Sequence, residues 1–418
     1  MKNDSSMIMA EMKAAAHEEL TRNILPWWIR KMPDDAEGGF FGRIDGRENI
    51  VQDAPKGGIL NARILWSFSA AYMKVRDPLC LEMATRAREY IFSHFFDNRY
   101  GGTYWSLTAN GKPLDTKKQI YSQAFFIYAL STYHMATGDR ESLDHAIELY
   151  RLIEKHSFDR ERGGYFEAFT REWGEIADLR LSAKDANEKK TMNTHLHILE
   201  AYTALYKVWP DEGLKQQLSG LVKVFARHIV DPETSHLILF FDEEWNRRST
   251  IVSYGHDIEA SWLLCEAAAA LSESAIAPGE AVASLGDSTA SLAEDERVKG
   301  LALRIASAAH EGIAEDNSLY YEKDDAAGHF DIDRHWWVQS EAVVGFLNAW
   351  QLSGDTSWLG MASDAFAYIR NKLVDRENGE WYWSIRADGT VNHDDDKAGF
   401  WKCPYHNTRM CLEILSRQ

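Results

Sequence analysis

Cysteine is scarce in this 418-residue chain, with four in all, at Cys80, Cys265, Cys403 and Cys411. No two stand as CxxC, which argues against a cysteine zinc site, and nothing in their spacing suggests a disulfide framework. Positive charge is also in deficit: 46 Lys and Arg face 64 Asp and Glu, for a formal net charge of −18. A field of that sign disfavours nucleic acid, anionic membranes and heavily phosphorylated substrates as partners. No stretch approaches the run of about 18 apolar residues that a transmembrane helix needs. The N-terminal MKNDSSMIMAEMKAAAHEEL has neither the apolar segment nor the small-residue cleavage site of a signal peptide. The expectation is a cytoplasmic enzyme.

What is present is an ordinary globular composition, 45% apolar and 26% charged, with 15 tryptophans. Tryptophan stacks well on the apolar faces of sugars, but most of these would be core.

One pattern recurs along the chain: an acidic residue, a few polar residues, a glycine pair or its substitute, then aromatics. It reads DDAEGGFFGRIDG from Asp34, DNRYGGTYWSLTANG from Asp97 and DRERGGYFEAFTREW from Asp159, with starts 63 and 62 residues apart. Weaker copies are DPETSHLILFFDEEW from Asp231 and EDNSLYYEKDD from Glu315, and DRENGEWYWSIRADG from Asp375 is the last. Glycine pairs followed by alternating aromatics read as short hairpins. Between them lie helical patterns such as GILNARILWSFSAAYMKV and SQAFFIYALSTYHMAT, about two helices per unit. Six such units predict an all-α fold: a closed (α/α)6 barrel of about twelve helices with short β-hairpins at one end. Closure is favoured over an open solenoid because no polar cap is evident at either end. The Ser-, Ala- and Gly-rich segment from Ser272 to Glu296 reads as a flexible inserted loop, leaving one domain over 1–418.

In such a barrel alternate helices face inward, here beginning near Gly58, Gln119, Thr191, Ser253, His335 and Lys402. Polar and titratable residues gather there. In TMNTHLHILEAY, Asn193 and His197 are four apart and share a helical face, which Glu200 extends, while His195 points elsewhere. A His-x-His metal pair would need a strand, and the context is helical. His256 and Glu259 repeat the H-x-x-E spacing, so Glu259 is expected to accept the second ring N–H of His256. Di-metal bundles use the reverse order, Glu-x-x-His, with further glutamates that are not found here. His406 sits at a helix start behind Trp401 and Pro404. Arg63 and Trp66 share a face of the first inward helix, and Arg63 there is either salt-bridged or an oxyanion ligand. Trp337 and Glu341 share a face, with Trp336 beside them. Tyr121 and Gln123 are weaker signals of the same kind. Arginine, histidines and a Trp/Glu pair thus recur at one phase of five units, and a closed barrel brings them to one axis.

MNTHLHILEAYTALY, SYGHDIEASWLL, WWVQSEA and WKCPYHNTRMCLEI closely resemble motifs of the cellobiose 2-epimerases, in the N-acylglucosamine 2-epimerase superfamily of (α/α)6 barrels. The resemblance runs from about Asn23 to the C-terminus. It implies that His256 and His406 are an acid–base pair, that Glu259 partners the catalytic histidine, and that Arg63, Asn193 and His197 surround C1 and C2 of the sugar. It also implies that Trp401 and one of Trp336 and Trp337 contact the sugar rings.

The residue types suit that chemistry. Only an open-chain aldehyde acidifies the C2 hydrogen, a histidine can remove it near neutral pH, and a cationic group can hold the enediolate. Inversion needs two bases from two directions. The expectation is a monomeric or homodimeric epimerase of β-1,4-linked disaccharides (cellobiose, mannobiose, lactose) that needs no metal or other cofactor. Alternatives are a mannose 2-epimerase or aldose–ketose isomerase on the same fold. An inverting glycoside hydrolase would need a carboxylate pair where histidines stand. A non-catalytic sugar-binding protein would leave the histidines unexplained.

Overall fold

The computed structural model describes residues 2–273 and 285–417. In chain order its helices are α1 (Lys2–Glu18), α2 (Leu25–Lys31), α3 (Gly58–Val75), α4 (Pro78–Tyr90), α5 (Ile120–Thr137), α6 (Arg140–His156), α7 (Met192–Val208), α8 (Glu212–Val224), α9 (Tyr254–Glu273), α10 (Leu285–Ala309), α11 (Trp336–Ser353), α12 (Thr356–Tyr368) and α13 (Tyr405–Ser416). Helices α3, α5, α7, α9, α11 and α13 each pack on the next, and α13 returns to α3, closing an inner ring. Helices α4, α6, α8, α10 and α12 pack outside it, and α1 supplies the sixth outer helix by lying against α13 and α12. The expected twelve-helix (α/α)6 barrel is the fold observed. No helix among the described residues is long and apolar enough to cross a membrane.

Sequence decides which helix lies where. Inner helices such as α5 (IYSQAFFIYALSTYHMAT) are apolar nearly all round and bury both faces. Outer helices such as α6 bury one stripe (Leu143, Ala146, Ile147, Tyr150, Ile153) and turn charge to solvent. Four outer helices start on an aspartate N-cap, with Asp77, Asp139, Asp211 and Asp355 accepting backbone N–H groups of α4, α6, α8 and α12.

The recurring acidic motif is a turn. At Asp34, Asp97, Asp159, Asp231 and Asp375 the backbone N–H bonds the carbonyl five residues on. In each, the carboxylate accepts N–H groups two and three residues ahead. In the fifth unit Ala314 takes the aspartate's place and the turn is one residue shorter, with its N–H on the Ser318 carbonyl.

Three of these aspartates hold a buried lysine that stands two residues before an inner helix: Lys56–Asp34 (2.8 Å), Lys118–Asp97 (3.0 Å) and Lys190–Asp159 (2.7 Å). These struts tie each hairpin to the strand that launches the next inner helix. Asp97 also takes Arg171, and despite the cost of burial these cations hold its carboxyl well below the ordinary range. Asp97→Ala leaves Lys118 buried and unpaired, so it is expected to cost about 3–5 kcal/mol, read by chemical denaturation. Because the Asp97 carboxyl is depressed in the fold, its contribution is present above the unfolded value, near pH 4, and fades on acidification through the folded value.

The region expected to loop out over 272–296 is different. α9 runs to Glu273 and helix resumes at Leu285, so the second half of that segment belongs to α10. Residues 274–284 lie outside the described residues.

Candidate active site

The first five inner helices carry the site in one register. Their sixth residues are Arg63, Phe125, His197, Glu259 and Glu341, and Arg409 of α13 completes this ring. The four titratable residues among those five, Arg409 and His406 are each at most 5% exposed.

The fourth residues of the same helices do another job. Gln123 and Gln339 bond the backbone of Thr103 and Leu319, and Asp257 accepts the N–H of Leu237. His195 is the equivalent in α7: its Nε2 accepts the N–H of Tyr165 (2.9 Å) and its Nδ1 lies 2.6 Å from the Thr191 carbonyl. Gly164 makes room, because a Cβ there would lie 2.7 Å from that Nε2. His195 is therefore structural, as helical phase predicted. His195→Gln copies the residue used in two other units, and is expected to keep turnover at the wild-type level with a stability change under about 1 kcal/mol by thermal unfolding.

The other histidines face the axis. His406 Nδ1 lies 2.7 Å from Glu341 Oε1, and His197 Nδ1 lies 2.9 Å from Glu200 Oε2. Each carboxylate accepts Nδ1–H, so each ring keeps an unprotonated Nε2, which has no partner among the described residues. His256 Nδ1 pairs instead with the Ser253 hydroxyl at 2.8 Å. Glu259, expected to partner His256, donates or accepts nothing there; it receives Arg409. The i,i+3 spacing is the same as for His197 and Glu200, but Ser253 competes for the His256 ring and Arg409 for the carboxylate.

Burial pushes all three histidines below the ordinary imidazole range, His256 to about 3. Arg63 and Arg409 add to the effect at His406. Burial and the neighbouring Glu341 push Glu259 up to about 8. Burial acts on Glu200 in the same sense, but Arg409 and His197 win and hold it down to about 2.

The aromatic residues divide. Trp337 is half-buried with its ring 4.8 Å from that of His256 and 5.6 Å from that of His406, so of the tryptophan pair it is the one facing the site. Gly255 permits this, since a Cβ there would lie 2.6 Å from the Trp337 ring. Trp336 is buried against Trp383. Trp66, also expected to bind sugar, is buried, stacked on Tyr128 with Tyr405 edge-on. Glu341, expected to touch sugar, is fully buried between His406, Arg409 and the Trp262 indole N–H (3.0 Å). Half-buried Trp401 sits near Trp105 and Tyr121.

Arg63 has no carboxylate partner among the described residues. It donates to the Tyr121 hydroxyl (2.8 Å) and the Trp401 carbonyl (3.4 Å), and lies 4.2 Å from the centre of the Phe125 ring. Asn193 Oδ1 is also without a hydrogen-bond partner among the described residues. Arg409 and Tyr405 escaped sequence reasoning: Arg409 donates to Glu200, Glu259 and Glu341, and Tyr405 to Glu200. The signal available was Arg409 three residues after His406 on an otherwise buried helix. Glu259, Glu341 and His406 present atoms within 4.8 Å of one another, a spacing that would suit a metal, but the Arg409 guanidinium already stands between the two glutamates.

A cleft of about 880 Å³ reaches this site at His256, the one of the three histidines that lines it, together with Asn193, Glu167, Asp185, Arg248 and Tyr321. Neutral imidazoles, an unpaired buried cation and a polar cleft can move a proton on a neutral, hydroxyl-rich ligand and hold the anion that results. Residues 39–409 match the profile of the family described as N-acylglucosamine 2-epimerase (GlcNAc 2-epimerase).

The chain belongs to that family.

Within the family it is 53% identical over 404 residues to a cellobiose 2-epimerase of Bacteroides fragilis, spanning 97% of this chain and 98% of the relative. A cellobiose 2-epimerase of Ruminococcus albus is 39% identical over 416 residues, 98% of this chain and 99% of its own length. The solved structure of the cellobiose 2-epimerase from Bacillus thermoamylovorans superposes with a TM-score of 0.89 at 39% identity, covering 98% of this chain and 100% of that one. As a member of the N-acylglucosamine 2-epimerase family at this level of identity, the protein is an epimerase.

Proposed function

We propose that the protein inverts C2 of the reducing-end sugar of β-1,4-linked disaccharides such as cellobiose, mannobiose and lactose. The observation that carries this reading is the placement of His256 and His406. They come from different helices, have their rings 4.8 and 5.6 Å from that of Trp337, and are kept neutral by burial, with the Arg63 charge adding to the effect at His406. The full-length similarity to enzymes named cellobiose 2-epimerase supports the substrate class.

The reaction begins with ring opening, which exposes the C1 aldehyde. One histidine Nε2 takes the C2 proton; the C–H electron pair forms C1=C2, and the carbonyl pair moves to O1 as a cis-enediolate. Arg63 stabilises that oxyanion, and His197, whose Nε2 carries a lone pair, accepts a hydrogen bond from a sugar hydroxyl. The other histidine takes up a proton from solvent as the enediolate charge forms and delivers it to the opposite face of C2, while the first releases its proton to solvent, and the roles reverse with direction. Glu341 fixes the ring of His406, and Trp337 and Trp401 pack on the sugar rings. Asn193, with its free carbonyl oxygen at the edge of the cleft, takes a sugar hydroxyl.

Incubation with cellobiose, mannobiose, lactose and mannose in D₂O tests this. The expected product is the C2 epimer of a disaccharide carrying deuterium at C2. Ketose as the sole product would make the enzyme an aldose–ketose isomerase, and released monosaccharide would make it a hydrolase.

A further inference from the structure

We propose that Arg409 is a positioning residue which, acting through Glu200 and Glu341, sets the ring nitrogen that His197 and His406 present to the sugar; this rests on the catalytic reading above. Arg409 is 1% exposed and lies 4.3 Å from the centre of the Tyr405 ring and 4.8 Å from that of Trp262. One arm of its guanidinium donates to Glu200, the other to Glu259 and Glu341. Two of those three carboxylates then hold histidines. Glu200 gives one oxygen to Arg409 and Tyr405 and the other to His197 Nδ1. Glu341 gives one oxygen to both Arg409 and His406 Nδ1, and the other to Trp262.

The tautomers follow from charge. An ionised carboxylate only accepts, so the histidine nitrogen facing it must carry the proton and the remote nitrogen must keep its lone pair. A protonated carboxyl could donate instead and reverse the tautomer, leaving Nε2–H towards the sugar and no base. Three glutamates buried together would each tend to take up a proton. Arg409 pulls all three down: it wins at Glu200, held down to about 2, while burial still leaves Glu341 raised and pushes Glu259, which serves no histidine, up to about 8. A single planar fork thus sets the tautomer of both His406 and His197. Lysine has the charge without the fork and cannot reach the three carboxylates at once.

Every element around His406 contributes to its state. Arg63 faces it from α3, His197 and Glu200 from α7, Glu259 from α9, Glu341 from α11 and Arg409 from its own helix. Removing the Arg409 charge therefore raises the basicity of His406, because that charge disfavours the imidazolium.

The test is Arg409→Lys, with fold checked by circular dichroism. The expected result is a kcat about 10- to 100-fold lower with KM little changed, the range found when groups that orient functional ligands are lost. In protein labelled with ¹⁵N-histidine, the wild type should show His197 and His406 as the Nδ1–H tautomer, and the variant a mixture. If Arg409→Lys does not fold, Arg409→Met with Glu259→Gln removes a cation and a carboxyl together. Read against Glu259→Gln alone, it should show the same mixed tautomers and an acid limb of kcat moved to higher pH. A folded variant with wild-type tautomers and an unmoved pH profile overturns the proposal, whatever its thermal stability. The tautomer measurement needs no substrate, so wild-type protein without C2 exchange would defeat the catalytic reading separately.

Discussion

His406→Asn is expected to lower kcat for epimerisation by about 10³-fold, within the range assigned to a lost general acid–base group. Asparagine is close in size and its amide can still donate to Glu341, so the buried carboxylate keeps a partner and the fold should persist. KM should change little, since the Trp337 and Trp401 faces and the cleft remain. The decisive measurement is deuterium at C2 in D₂O, followed for each epimer separately. With one of two bases gone, the surviving histidine can still exchange the C2 hydrogen of one epimer without inverting it. Retention of more than a tenth of wild-type turnover would remove His406 from the chemistry. The pH profile adds a check. Burial, Arg63 and Arg409 push the His406 ring well below the ordinary imidazole value, so its neutral, basic form persists as pH falls. The wild-type kcat/KM should therefore stay level as pH falls through about 6.5, the ordinary histidine value, and decline only below it. An inflection at the ordinary value would point to a solvated histidine instead.

Arg63→Met should separate activity from stability. Loss of a preorganised donor to a developing oxyanion costs about 10²- to 10³-fold in kcat. The fold should gain. Among the described residues Arg63 has no carboxylate partner and its Nε no hydrogen-bond partner, and the Tyr121 hydroxyl, the Trp401 carbonyl, the Cys403 sulfur and aromatic faces compensate its charge. Methionine fills much of the space at no desolvation cost, so stability is expected to rise by about 1–3 kcal/mol, in keeping with apolar replacement of buried charge. Thermal unfolding run beside the epimerisation assay reads both. Parallel loss of stability and activity would mean that Arg63 is a structural residue.

Much of this site is legible in the sequence because inner helices repeat a register. The phase that sets His197 apart from His195 is fixed by the helical period alone, and the two residues do go to different fates: His197 to Glu200, His195 to the Tyr165 backbone. The repeated motif likewise marks the turns at Asp34, Asp97 and Asp159. What spacing cannot carry is competition between partners far apart in the chain. Glu259 stands three residues after His256, yet Ser253 and Arg409 take the two groups apart. Arg409 meets Glu200 from 209 residues away, a pairing that exists only once the ring closes. Trp66 and Trp337 both lie on inward faces, yet the first packs on Tyr128 and Tyr405 and the second beside the histidines. Residues 285–296 read as loop by composition, yet α10 runs through them.

The pairing of α1 with α13 has a consequence for how the molecule comes into being. The helix that completes the outer layer is made before the entire inner ring, and the helix it must cover is made after the other five inner helices. The segment that follows α1 is in turn tied to the last hairpin: Trp381 donates to Glu19 (2.7 Å), and Asn23 accepts the N–H of Glu380 (2.8 Å). On a growing chain α1 has no mate, and its apolar stripe waits in solvent or on transient partners. His406 and Arg409 ride on α13, so catalytic competence arrives only with the longest-range contact in the fold, and assembly should be slow for an all-helical protein of this size.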